Sequence, residues 1–268
     1  MSIAGPRVIE SPNISEAWGR AFLDAFTATP RSRTPLVLSL AGFSRDLPDE
    51  DLVIRQAVDE ALSRCEKNAV DVSGMTIFPY DLWQHRNRPS WENFHPLCVN
   101  NFLPRLKARD VRNRLGTYFE RMMHFTGQRG GERKTVDQLG FIIQLLRNSQ
   151  RWPRQSALQL SCFDPAKDHT GQPVRGFPCL HQVGLSHDGD KRIALHAFYP
   201  TQYIFDRGYG NYQGLCHLGS YIGLQTGLQF ARLNCYIGEP QFGDANKGDL
   251  AELAKLVDRR LAASHRTQ

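Results

Sequence analysis

The chain has 268 residues, 41% hydrophobic and 22% charged, which is enough to bury the core of one large domain, and we expect a single domain over residues 1–268. It contains no apolar run of about 18 residues, and the start MSIAGPRVIESPN lacks the basic and then apolar order of a signal peptide, so a cytoplasmic location without membrane contact is predicted. The net charge of +6 suits an anionic partner, but Lys and Arg are dispersed and no nucleic-acid-binding motif is recognisable, so nucleic acid is the least favoured partner.

Six cysteines are distributed along the chain without any C-x-x-C pair. They are Cys65, Cys98, Cys162, Cys179, Cys216 and Cys235. This spacing argues against a zinc ribbon, and a disulfide scaffold is not expected in a chain of this length. We therefore expect reduced thiols and no structural metal.

The first half of the chain predicts helices, one strand and two loops. Asn13 and Glu16 form a capping pair, after which Trp18 and Phe22 recur at helical spacing. The predicted segments are a helix from Asn13 to Pro30, a strand at 36–40 (LVLSL), a helix from Glu50 to about Cys65, a turn and aromatic loop from Gly74 to Trp83, and a loop with short helical turns from Gln84 to Asn101. The last segment is expected to form the wall of a pocket.

The second half predicts strands around a buried helix. Thr135 and Gln138 form a capping box, so a helix is expected over Thr135–Asn148. ALQLSCF, CLHQVGLS and RIALHAFY are expected to be neighbouring strands. Tyr212–Phe230 predicts a helix packed closely on both sides, because its four glycines would each cost about 1 kcal/mol relative to Ala without such packing. The strand ARLNCYIG and a last helix beginning near Asp249 complete an α+β fold, with helices packed against a largely contiguous sheet.

Several motifs succeed one another between about Gly116 and Gly243. In chain order they are VDQL, LLRNSQRWPRQS, FPCLH, GDKRIALHAFYPTQYIFDRGYGNYQGL and CYIGEPQF. This order resembles that of the thymidylate synthases, in which an I-D-Q-L helix, a P-C-H nucleophile strand, a Y-x-R-S-x-D segment, a G-x-x-x-N turn and a buried helix follow one another. Upstream, GMTIFPYDLW, GTYFERM and SRTPLVLSL are similar to the family's aromatic loop, Y-G-x-x-W-R turn and phosphate loop.

The resemblance implies a divergent member of the thymidylate synthase and pyrimidine nucleotide C5-hydroxymethylase superfamily. The implied fold packs helices on a large mixed or antiparallel sheet around a buried central helix. The implied activity adds a methyl or hydroxymethyl group to C5 of a pyrimidine nucleotide or nucleoside, with 5,10-methylenetetrahydrofolate as co-substrate and a homodimer as the assembly. In the family a thiolate adds to C6 and makes C5 nucleophilic, which is covalent catalysis.

Cys179 is the candidate nucleophile, because it alone of the six cysteines lies in a P-C-x-H context. A free thiol has a pKa of about 8.5, so a nearby cation is needed to raise its thiolate fraction. The alternative is a small buried side chain. Asn211, after Gly208 in the implied substrate-binding turn, matches the asparagine that reads the pyrimidine edge, since an amide offers the donor and the acceptor that uracil N3 and O4 require. The alternative for Asn211 is a left-handed turn residue between glycines.

The resemblance assigns roles to further residues that also have structural explanations. His181 and Tyr118 match catalytic residues beside the nucleophile and in a proton relay, and Glu60 is the nearest match to a glutamate that orders water. Phe78 and Trp83 match the aromatic pair that lines the folate and base pocket. A hydrogen-bonded sheet histidine and ordinary core aromatic residues are the alternatives.

The phosphate and sugar positions depart from the family. Residues 201–204 (TQYI) replace the R-S-x-D segment, so the arginine that grips the nucleotide phosphate is absent. Arg33, Arg154 and Arg207 are candidates to supply that charge, and a solvated surface arginine is the alternative for each. Gln241 stands at or near the position of the family's sugar-binding histidine. We therefore expect a substrate other than deoxyuridine monophosphate or, alternatively, a catalytically inactive nucleotide-binding or regulatory protein with this fold.

Overall fold

The main sheet carries helices on one face, and a separate hairpin forms a second, small sheet. The structure is a computed structural model that describes residues 5–29, 34–43, 47–110, 113–114, 116–129, 132–148, 151–169, 171 and 178–264. Over these residues the fold is α+β, as the sequence predicts.

Six strands of the described chain form the main sheet in the order β1-β2-β8-β7-β6-β5. Pairs β1/β2 and β7/β8 are parallel and the other neighbours are antiparallel, so the sheet is mixed. The strands are β1 Arg7–Ser11, β2 Leu36–Ala41, β3 Phe125–Arg129, β4 Glu132–Val136, β5 Gln159–Ser161, β6 Gln182–His187, β7 Arg192–Tyr203 and β8 Gln229–Gln241, with β3 and β4 forming the hairpin.

Helices provide the other layer. They are α1 Ile14–Thr27, α2 Leu52–Arg64, α3 Val70–Met75, α4 Tyr80–His85, α5 Trp91–Leu97, α6 Leu103–Arg109, α7 Tyr118–Met123, α8 Gln138–Asn148, α9 Pro165–Asp168, α10 Tyr209–Thr226 and α11 Ala251–Ser264. π-helical turns cover Cys98–Phe102 and Ile204–Gly208, and 3₁₀ turns cover Gln155–Ala157 and Lys247–Leu250. Among the described residues, no helix is both long and apolar enough to cross a membrane.

The long strands β7 and β8 have one face buried in the core and the other face exposed. Alternate side chains point to opposite faces of a strand, so Leu195 and Leu233 are fully buried beneath the helices, whereas Phe198 and Tyr236 are exposed on the other face. The alternation of β7 changes after Pro200, where Gln202 rather than Thr201 is buried. The end of β7 therefore turns a polar side chain inward, beside the π-helical turn that leads into α10.

Helix α10 is the buried central helix that the glycine pattern predicts. A Cβ at Gly214 would lie 2.5 Å from the carbonyl oxygen of Gly74 in α3, and a Cβ at Gly219 would lie 2.5 Å from the Phe230 ring. Gly227 has a different role, because it ends the helix in a left-handed conformation with φ +70°. The expected helix over Tyr212–Phe230 is thus shifted by one turn towards the N-terminus.

Most elements match their sequence signals. The Asn13 side chain accepts hydrogen bonds from the amides of Ser15 and Glu16 at the start of α1. The expected strand at 36–40 and the expected helix from Glu50 are confirmed as β2 and α2, and the three expected neighbouring strands are confirmed as β5, β6 and β7.

Two local predictions are wrong, and a third is right only in part. Thr135 lies on β4, paired with Thr126, and α8 begins at Gln138, with Asp137 accepting a hydrogen bond from the amide of Gly140. The aromatic loop contains parts of helices α3 and α4. The short helical turns expected over Gln84–Asn101 are present, but they form the regular helix α5 and a π-helical turn. Short helices are stabilised mainly by tertiary packing, so their sequences show no clear periodicity of hydrophobic residues.

Candidate functional site

A cavity of about 400 Å³ opens where the end of β7 meets the π-helical turn and the first turn of α10. Cys179 from the loop before β6 and Tyr118 from the start of α7 line it, together with Arg207 and Asn211. The other lining residues are Lys67, Asn68, Thr76, Asn113, Gly116, Thr117, Arg121, Pro178, Gln202, Tyr203, Asp206 and Asp244. The volume lies within the range of small-molecule sites.

Cys179 is exposed at the cavity, whereas Cys98, Cys162, Cys216 and Cys235 are buried. Its backbone N–H donates to the Tyr118 hydroxyl at 3.2 Å. Although the residue as a whole is exposed, the surrounding protein partly desolvates the Cys179 thiol and raises its pKa, and the Tyr118 hydroxyl and the Arg207 charge act in the opposite direction without cancelling this effect. The resting side chain is therefore a thiol, with two neighbours that favour its thiolate.

Asn211 lies in the first turn of α10, so the alternative of a left-handed turn residue is wrong. Its side chain is 4% exposed, lines the cavity, and makes no hydrogen bond that the described residues reveal. Gly210 lets this turn approach α3, since a Cβ there would lie 2.5 Å from the Val70 carbonyl oxygen. Gly208 packs against Trp18 rather than lining the cavity. The close approach of α10 to α3 thus fixes the position of the Asn211 amide.

The cavity contains two buried polar residues that the sequence did not single out. Gln202 accepts a hydrogen bond at Oε1 from the Tyr212 hydroxyl at 2.7 Å, and its Nε2 is buried without a partner among the described residues. Asp206 forms an ion pair through Oδ2 with the Lys67 ammonium at 2.9 Å, and its Oδ1 is likewise buried without a partner there. Strict alternation along β7 would have placed Thr201 inside, so no sequence signal identified Gln202.

Among the described residues that line the cavity, two of the three cations are held by carboxylates. Lys67 pairs with Asp206, and Arg121 donates to both carboxylate oxygens of Asp168, one of them at 2.9 Å. Arg207 makes a single long hydrogen bond among the described residues, 3.4 Å to the Ser73 hydroxyl. Arg207 is therefore the cation best placed to act on Cys179 or on a bound anion.

Several sequence-predicted residues lie away from this cavity. Glu60 is exposed on α2, where its carboxylate accepts a hydrogen bond from Gln56. His181 stacks on Phe163, with ring centroids 4.6 Å apart, and burial lowers its pKa. The remaining predicted residues are Arg154, exposed before a 3₁₀ turn, Gln241, at the end of β8, and Arg33, which lies outside the described residues.

The two residues expected to line a folate pocket are core residues. Phe78 and Trp83 are buried and both contact the Tyr221 ring, at centroid distances of 4.6 and 5.2 Å. The Trp83 indole N–H donates to the Pro89 carbonyl oxygen. Neither residue lines the Cys179 cavity. The pair therefore does not fit the role of holding methylenetetrahydrofolate beside the thiol.

No protein-family model matches the chain, and no curated protein matches it significantly. The resemblance to thymidylate synthases rests on the order of the sequence motifs.

Proposed function

We propose that the protein is a thymidylate synthase-like transferase that adds a one-carbon unit, as methyl or hydroxymethyl, to C5 of a pyrimidine nucleotide or nucleoside. The observation that carries the proposal is that Cys179, Tyr118, Arg207 and Asn211 line one cavity although they come from three separate segments of the chain. A nucleophile, a hydroxyl, a cation and an amide are the groups that this chemistry requires.

The reaction begins with addition of the Cys179 thiolate to C6 of the ring. The new S–C6 bond displaces the C5–C6 electron pair towards C5 and O4, and Asn211 holds the N3–O4 edge through its amide. C5 then forms a bond to the one-carbon unit, and the C5 proton leaves. The bond between that unit and the nitrogen of its donor breaks, and the unit accepts either hydride from the tetrahydrofolate, which is oxidised to dihydrofolate, to give methyl, or water to give hydroxymethyl. Cleavage of the C6–S bond then releases the thiolate. Arg207 stabilises that thiolate, and the Tyr118 hydroxyl exchanges protons on the C5 side of the ring.

5,10-Methylenetetrahydrofolate is the one-carbon donor that the resemblance implies. Because Phe78 and Trp83 are core residues, we assign no residue of this chain to hold it. The trapping assay described below tests whether the protein uses methylenetetrahydrofolate.

Deoxyuridine monophosphate is not the expected substrate. The family's phosphate arginine is absent, and Lys67 and Arg121 are already paired with Asp206 and Asp168. Arg207 is needed beside the thiol. A nucleoside, or a nucleotide with a different arrangement of phosphate, suits this charge pattern better.

Covalent trapping tests the proposal. The protein is incubated with 5-fluoro-2′-deoxyuridine or its monophosphate, each with and without methylenetetrahydrofolate, and its intact mass is measured. Fluorine at C5 cannot leave as a proton does, so an adduct accumulates on Cys179. Cys179→Ser should form none, and Cys65→Ser, which alters a cysteine outside this cavity, should behave as the wild type. No adduct with any member of the panel would overturn the proposal.

A non-catalytic nucleotide-binding or regulatory protein with the same fold is the second candidate. The raised pKa of the Cys179 thiol favours it, because a thiol is a much weaker nucleophile than a thiolate. In that case nucleosides bind reversibly, and no fluoropyrimidine adduct forms.

A further inference from the structure

Gln202 is a fully buried amide at the end of β7 that no part of the proposed reaction uses. It is 1% exposed, yet it lines the cavity that contains Cys179. Its Nε2 is buried and has no partner in the described part of the chain. A buried donor left without an acceptor is costly, so such a group requires an explanation.

Tyr212 holds one end of this amide. The Tyr212 side chain is fully buried, and its hydroxyl donates to Gln202 Oε1 at 2.7 Å. With Oε1 held by Tyr212, Nε2 is the end of the amide that remains without a partner among the described residues. The neighbouring Asn211 presents a second amide to the same space.

The Asp206 carboxylate and its pairing with Lys67 favour a neutral acceptor over an anion at Gln202. Asp206 lines the same cavity, and its carboxylate charge would repel a phosphate. Lys67 is engaged by Asp206 at 2.9 Å. A carbonyl oxygen needs no counter-charge and satisfies Gln202 directly.

We infer that Gln202 is a ligand-binding residue, and that its Nε2 donates a hydrogen bond to a carbonyl oxygen of a ring amide or imide, the class that includes the oxo-pyrimidines. The identity of the ring rests on the proposed function, whereas the need for an acceptor follows from Gln202 itself. Gln202 and Asn211 then form a pair of neutral amides that selects an uncharged heterocycle, and Tyr212 is a positioning residue.

Reversible binding to the Cys179→Ser protein tests the inference without the chemical step. The probes are 2′-deoxyuridine, its 5′-monophosphate, and two nucleoside analogues that each lack one ring carbonyl oxygen. Isothermal titration should show that Gln202→Glu and Gln202→Met each weaken deoxyuridine binding by about tenfold or more. The analogue that lacks the carbonyl oxygen bound by Gln202 should bind weakly to the protein that retains Gln202 and equally weakly to the Gln202 variants. This analogue therefore identifies which ring carbonyl oxygen Gln202 contacts.

A second variant separates binding from folding. Gln202→Met leaves the Tyr212 hydroxyl without its acceptor, so the double variant Gln202→Met/Tyr212→Phe removes both partners at once. Replacing both partners of a buried hydrogen bond is close to neutral for stability, so this variant should keep a melting temperature near that of Cys179→Ser and still bind weakly. Ser220→Ala removes a buried hydroxyl that lies outside the cavity and should bind normally.

The outcomes separate the two proposals. Wild-type affinity in the double variant overturns the role of Gln202 whether or not an adduct forms on Cys179. Reversible binding that depends on Gln202, without any covalent adduct, supports the inference and overturns the reaction. If no probe binds, both are overturned.

Discussion

Neighbouring groups shift the pKa of the Cys179 thiol in opposite directions. Burial raises its pKa, while the Tyr118 hydroxyl and the Arg207 guanidinium lower it. A bound pyrimidine would displace water from the cavity and strengthen the effect of Arg207, because charges interact more strongly at low dielectric. The balance in the free protein therefore keeps the cysteine protonated, and under the proposed function Arg207 is the group that would favour its thiolate.

The rate at which Cys179 is alkylated should show how strongly its thiol pKa is shifted. Iodoacetamide reacts with the thiolate, so the rate at Cys179 should rise with pH and reach half of its maximum above the pH expected for a free cysteine, about 8.5. Arg207→Gln should lower the rate at about pH 8 by roughly three- to tenfold, because it removes the nearby cation. Peptide mass spectrometry measures the rate, and Arg154→Gln, on the surface, is the matched control. Equal rates in the wild type and Arg207→Gln would mean that Arg207 does not act on the thiol.

Helix α10 can occupy the centre of the molecule because its glycines admit other elements at backbone distance. Gly210 and Gly214 face α3, and Gly223 faces the Leu228 carbonyl oxygen. This packing also places Asn211 at the cavity.

Gly214→Ala should destabilise the protein even though alanine favours helices. The added Cβ would lie 2.5 Å from the Gly74 carbonyl oxygen and 3.0 Å from its Cα, which are backbone atoms that cannot rotate away. We expect a loss of about 1–3 kcal/mol in the free energy of unfolding, measured by urea denaturation. Gly171→Ala, where no atom lies within 4 Å of the new Cβ, is the control and should change little. An unchanged midpoint for Gly214→Ala would contradict the close contact.

His217 of α10 makes the stability of this layer depend on pH. It stacks on Tyr80, with ring centroids 4.1 Å apart, and burial lowers its pKa to about 4. Between about pH 6.5 and 4 the unfolded chain binds a proton that the folded chain does not, so the free energy of unfolding should fall by about 2 kcal/mol as the pH is lowered through this window. His217→Phe keeps an aromatic stack and should show a smaller fall in urea denaturation. An identical pH dependence in that variant would exclude His217 as the cause.

The elements that could be predicted from the sequence are those whose structure depends on neighbouring residues in the chain. The Asn13 cap, the strand β2 and the glycine pattern of α10 each have a direct physical meaning, and each was found in the sequence. The helix start at Gln138 was missed because Thr135 offers a capping box, while strand pairing with Thr126 outweighs it. Gln202 was missed because its burial depends on a change of strand pattern after Pro200, which only the tertiary structure reveals.

At the scale of the whole molecule, one face of the main sheet carries exposed aromatic side chains and is a candidate protein interface. Phe198 and Tyr236 are each 42% exposed there and stack on each other at 5.7 Å, and His196 lies beside them with hydrogen bonds to Ser186 and Asn234. Helices cover the opposite face. Large aromatic side chains grouped on an exposed sheet face are typical of protein interfaces, and the homodimer that the sequence resemblance implies would cover this one.

Charge placed on this face should separate the copies. Phe198→Lys and Tyr236→Lys would each bring like charges together across a two-fold interface, because each substitution occurs on both copies. We expect light scattering after size exclusion to give the mass of a dimer for the wild type and of a monomer for the double variant. Phe141→Lys, which alters an exposed aromatic residue on α8, should remain dimeric. A wild-type mass of one chain at micromolar concentration would contradict the dimer, and the exposed aromatic pair would then need a different partner.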